Sequence, residues 1–138
     1  MKKLPLAVPY PPPILNPNAR PHWAHKAKVK ARYRLLCSMT VEQQLRWLGP
    51  DPDRDALLLS PRLLIEVCAF RVTGQPIDKD NLIAALKSGL DGVAQALELN
   101  DARFDFGAVE FGRVARRDEQ RVLLLFSPSP GRARVCWW

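Results

Sequence analysis

Apolar residues recur at helical spacing between residues 81 and 97, in Leu82, Ala85, Leu86, Leu90, Val93 and Leu97, which predicts an amphipathic helix. Gly89 and Gly92 lie inside it, each at a cost of about 1 kcal/mol relative to alanine. Residues 63–72, with Ile65, Val67, Cys68 and Phe70, read as a central strand with Cys68 buried on it, ended by a polar break at 73–76. Residues 4–10 are short, apolar and punctuated by proline, as an edge strand that can spare an amide. The prolines at 11–13 and 17 exclude helix there and leave a stiff connector. Between residues 26 and 35, cations alternate with Ala27, Val29, Ala31, Tyr33 and Leu35, a strand-like period of two. The richness in alanine, lysine and arginine, and the absence of a turn signal before Gly49-Pro50, favour one long helix from about residue 22 to 48. Residues 51–55 read as a polar loop. Two further strands are expected around 108–115 and 121–126, joined at 116–120 as a hairpin, with a loose tail from residue 127. The expected fold is α/β in the broad α+β sense: one domain over residues 1–138, core 4–126, with a small single-layer mixed sheet and two main helices in the order β-α-β-α-β-β.

Charge narrows the partners. Lysine and arginine number 21 against 14 acids, a formal net charge of +7, which favours a polyanion and nucleic acid first. The three cysteines, Cys37, Cys68 and Cys136, are far apart, and His22 and His25 complete no zinc set with them, so free thiols in a reducing cytoplasm are expected. Prolines cut the apolar start too short for a signal helix, and no run approaches the ~20 apolar residues of a membrane span.

Chemistry is concentrated in Asp78-Lys79-Asp80-Asn81-Leu82, between a predicted strand and a predicted helix. In extended backbone Asp78 and Asp80 project to one side, and paired carboxylates repel unless a cation compensates them. Mg²⁺ takes such oxygen ligands. The competing reading is plain: an aspartate or asparagine before an apolar helix is the ordinary cap. Asp101 strengthens the metal reading only if the chain after the helix doubles back toward Asp80, and Glu98 and Asp105 are competing acids. On a helix, Lys26, Lys30 and Arg34 share one face, with Lys28 and Arg32 on another. They form either a solvated surface or a phosphate-tracking one.

Taken in order, these features resemble the RusA family of Holliday-junction resolvases. The family's leading strand, proline-rich turn and asparagine match residues 4–18. Its acid-x-acid-Asn-Leu step matches residues 78–82, its Leu-Asn/Asp-Gly matches Leu90-Asp91-Gly92, and its closing turn matches Asn100-Asp101-Ala102-Arg103. Residues 17–24 look like the phage and prophage branch, in which the following basic stretch is helical. The resemblance spans roughly residues 4–126. It implies a cytoplasmic bacterial or phage-encoded homodimer, dependent on Mg²⁺ or Mn²⁺, that hydrolyses four-way DNA junctions in recombination and repair. Asp78, Asp80 and Asp101 would be the metal-binding and catalytic acids. Asn16, Arg20, Lys26, Lys28, Lys30, Arg32, Arg34 and Lys79 would contact DNA.

Two positions depart from the family. Ala84 stands where better-studied members have a catalytic lysine, with Lys87 and Lys79 as the candidate replacements, and Asn100 stands where many have a first aspartate. The alternative is therefore a RusA-like DNA-binding protein with weakened or lost catalysis. An RNA-processing domain is a more distant rival, because the aromatic RNP signature and the Gly-x-x-Gly loop are absent.

Overall fold

The computed structural model describes residues 3–72 and 78–130. The chain runs through strand β1 (Leu4–Pro9), helix α1 (Trp23–Leu48), helix α2 (Pro52–Leu58), strand β2 (Leu63–Arg71), helix α3 (Lys79–Leu97), strand β3 (Phe104–Arg113) and strand β4 (Arg121–Pro128). Single 3-10 turns occur at Pro13–Leu15, Asp101–Arg103 and Arg117–Glu119. The break expected at 73–76, and the far tail with Cys136, lie outside the described residues, but the loose tail expected from 127 is corrected at its start, where Ser127 and Pro128 pair with β2 and Ser129 N–H donates to the Arg62 carbonyl at 3.0 Å.

The four strands form one mixed sheet in the order β1-β4-β2-β3. β2 and β3 are parallel, and β4 is antiparallel to both β1 and β2. The expected α+β class and the element order hold, and β1 is the expected edge. Alternation along the strands sends Leu6, Val8, Ile65, Val67, Val122, Leu124 and Phe126 to the face that α1 and α3 cover, where all are buried. Cys68 points to the opposite face and is only half-buried, so its expected burial is corrected. The period of two that β2 obeys allows only one of its faces to meet the helices.

The helices meet each other at small residues. A Cβ on Gly89 would lie 2.5 Å from Cε2 of Tyr33, and one on Gly92 would collide with the carbonyl oxygen of Arg34. The glycines that weaken α3 locally thus let α1 approach it. Tyr33 is fixed in this contact by donating its hydroxyl hydrogen to the Pro9 carbonyl at 2.6 Å. α1 stops at Leu48 as expected, with Gly49 in left-handed backbone (φ 73°).

Four other expectations are corrected. Residues 52–58 form α2, because Asp51 accepts from the Asp53 and Arg54 amides and Pro52 opens the helix with a preset φ. The proline connector contains a 3-10 turn, with Pro13 at its first position, where no amide is required. β3 begins at Phe104, ahead of the expected start, with a register shift opposite Glu66. Finally, β3 and β4 form no hairpin. Their link passes the end of β2, where Val114 N–H donates to the Arg71 carbonyl and Val72 N–H to the Gln120 side chain, both at 3.0 Å. β4, with three fully buried residues, takes an interior position, and β3, with exposed Glu110 and Arg113, takes the edge.

Candidate functional site

The parallel β2–α3–β3 unit decides which acids meet. α3 begins beyond the Arg71 end of β2 and returns the chain to the Leu63 end, where Phe104 pairs with Leu63. Asp101 lies three residues before Phe104, so it stays at the foot of α3. The chain does double back as β3, but only after Asp101 has been passed.

At the head of α3, Asp78 is the N-cap. Its Oδ1 accepts the Asp80 amide hydrogen at 2.8 Å, and its carbonyl accepts that of Leu82 at 3.0 Å. The capping function is thus present. Asp78, Lys79 and Asp80 are all exposed, so the acidic pair and the lysine between them face solvent together.

At the foot of α3 a second acidic pair forms. The Asp91 carboxyl shares a hydrogen bond with Asp101. Burial first, and then the bond and charge of Asp101, raise the Asp91 pKa above the ordinary carboxylate value, opposed by Lys87 and Arg34. Lys87, Asp91 and Asp101 line one end of a groove of about 190 Å³ between α3 and β3, whose walls are Ile83, Ala84, Leu90, Phe104 and Phe106. Lys87 therefore shares a wall with Ala84, yet its charge serves the foot of the helix.

Asp80 and Asp91 are eleven residues apart on one helix, roughly 16 Å along its axis. A hard divalent ion holds its oxygens at about 2–2.6 Å. Asp78, Asp80 and Asp101 of one chain therefore do not fit a single ion, and among the described residues no three His, Cys, Asp or Glu side chains are placed to hold one together. The competing acids lie outside the groove. Asp105 pairs with Arg62 (Nε–Oδ2 2.9 Å) and accepts from the Ser129 hydroxyl at 2.8 Å. Glu98 is the exposed left-handed cap of α3.

Lys28, Lys30, Arg32 and Arg34 are exposed on α1 and Lys26 is half-buried; Arg20 is exposed ahead of the helix. Asn16 closes a turn, its Oδ1 accepting the Asn18 amide hydrogen at 2.9 Å. Asn100 does the same for Ala102 at 2.9 Å, and this positions the Asp101 turn. No acid precedes Glu42, whereas Lys2, Lys3, Arg20, Lys26, Lys28, Lys30, Arg32 and Arg34 all do. The positive charge is therefore segregated toward the start of the chain. Asp91 is the site residue that sequence reasoning missed. Its signals were the i,i+4 spacing from Lys87 and the charge it carries between the buried residues Leu90 and Gly92.

No protein-family model matches the chain. A protein of Xylella fastidiosa (strain Temecula1), described as uncharacterized, is 31% identical over 99 residues, covering 72% of this chain and 61% of the relative. The chain thus spans about three fifths of the length of the relative it matches, and that relative's description names no activity. No helix among the described residues is long and apolar enough to cross a membrane.

Proposed function

We propose that this chain is a metal-dependent endodeoxyribonuclease of the RusA type, encoded by a bacterium or its phage, which acts on four-way DNA junctions as a two-fold dimer in the bacterial cytoplasm. The observation that carries the reading is the exposed Asp78–Asp80 step at the head of α3, in a chain that carries cations and no acid before Glu42, most of them on α1. The carboxylates repel DNA by themselves, so the α1 cations supply the attraction and position the backbone.

The separation of the acids shapes the proposal. β3 is an edge strand with Phe106 and Phe111 exposed, and the apolar groove opens beside it. A second copy packed across α3 and β3 about a two-fold axis covers that edge. Antiparallel α3 helices then set the Asp78–Asp80 head of one copy beside Asp101 of the other. A divalent ion held there would supply Lewis-acid activation of the phosphodiester. Asp80 takes the proton of the attacking water, and Lys79 and Lys87, from the two copies, offset charge gathering on the phosphoryl oxygens.

A second reading, a junction-binding module without hydrolysis, is favoured by the same separation of acids within one chain. Incubation of labelled four-way junction with the wild type and with Asp80→Asn, in Mg²⁺, Mn²⁺ or EDTA, separates the two. The nuclease predicts paired symmetric nicks, abolished by chelator and reduced at least about 100-fold by Asp80→Asn, with junction binding retained. Binding without nicking in either metal supports the module. Failure to bind removes both.

A further inference from the structure

Trp23 is the first residue of α1 and 77% exposed. An indole has a large apolar face whose exposure to water is unfavourable, and α1 packs on the core from Val29 onward, with Tyr33 its first fully buried residue. The ring therefore stands ahead of the part of the helix that packs on the core. It is also held. His22 is the N-cap, its Nδ1 accepting the Ala24 amide hydrogen at 3.2 Å, and this fixes the imidazole. The two rings stack with centroids 5.7 Å apart and planes 28° apart.

Charge decides what such a platform fits. Arg20 precedes it, Lys26, Lys28 and Lys30 follow, and no acid lies in the first turn of α1 or anywhere before Glu42. A second copy seated here would bring like charges together. An unpaired DNA base offers a π-face with phosphates on either side. We infer that the His22–Trp23 stack is a platform for an unstacked base of DNA, with Arg20 and Lys26 on the adjacent phosphates. This rests on the DNA-binding reading above and assigns to these rings the recognition of an opened strand, where a branched substrate differs from duplex.

The test is binding of a short labelled oligothymidylate, and of a blunt duplex of equal length, to wild type, Trp23→Ala, Trp23→Phe and Lys28→Ala. Trp23→Ala should weaken the single strand about tenfold or more and leave the duplex nearly unchanged, while Trp23→Phe keeps most of the affinity. Lys28→Ala should weaken both alike and lower the salt slope by about 0.7–0.9. The inference is overturned if Trp23→Ala affects neither DNA, or both equally. It is equally overturned if that variant loses self-association in sedimentation, or loses binding to anionic lipid vesicles while keeping the single strand. If the wild type binds neither DNA, the nucleic-acid reading falls with it. If it binds both and only the Trp23 pattern fails, that reading stands and the platform alone is lost.

Discussion

Asp91 is partly buried beside Asp101, and its pKa is raised, by burial first and then by the neighbouring carboxyl. A carboxyl whose folded pKa exceeds its unfolded value binds extra protons in the folded state. Its contribution is fully present below the unfolded value and is lost as pH rises through the raised one. At neutral pH the pair is therefore a source of repulsion, only partly relieved by Lys87 and Arg34. Asp91→Asn should raise the melting temperature at pH 7 and change it progressively less as the pH is lowered and the Asp91 carboxyl takes up its proton. A melting temperature lowered at pH 7 would contradict this. Asp78 and Asp80 were legible in the sequence because acid-x-acid before an apolar helix is a local signal. Asp91 was not, because its partners Asp101 and Arg34 reach it only through the fold.

Between elements, the close approach of α1 and α3 at Gly92 leaves no room for a side chain. Gly92→Ala should destabilise the protein by about 3 kcal/mol in urea unfolding, since the helices must part to admit a methyl group. An unchanged midpoint would mean that the contact is looser than described. From sequence those glycines were only a local cost, because periodicity along one helix does not reveal the helix packed against it. α1 and α3 themselves were readable from length, spacing and the Gly49 stop. α2 was written in the sequence as Asp51 followed by Pro52, a helix-start signal that a short polar stretch obscured. The supposed β3–β4 hairpin failed for another reason. A short link suggests neighbouring strands, but β4 carries the apolar residues that an interior strand requires and β3 does not.

Across the molecule, α3 separates the acids that the family resemblance groups together. The element order was enough to infer a mixed α+β sheet, but the end of that sheet to which Asp101 falls depends on where β3 begins. β3 begins at Phe104, just after Asp101, and that position turns an expected cluster within one chain into two acidic pairs at opposite ends of a helix. Under the proposed function each ion is held between copies. The most direct measurement is nicking of a labelled four-way junction in Mg²⁺ by Asp80→Asn, by Asp101→Asn, and by an equimolar mixture of the two after subunit exchange. Each variant alone should be inactive. The mixture should recover roughly a quarter of wild-type nicking, because half of randomly formed dimers are mixed and each mixed dimer has one intact site of two. A mixture as inactive as its components, beside an active wild type, would contradict a shared site.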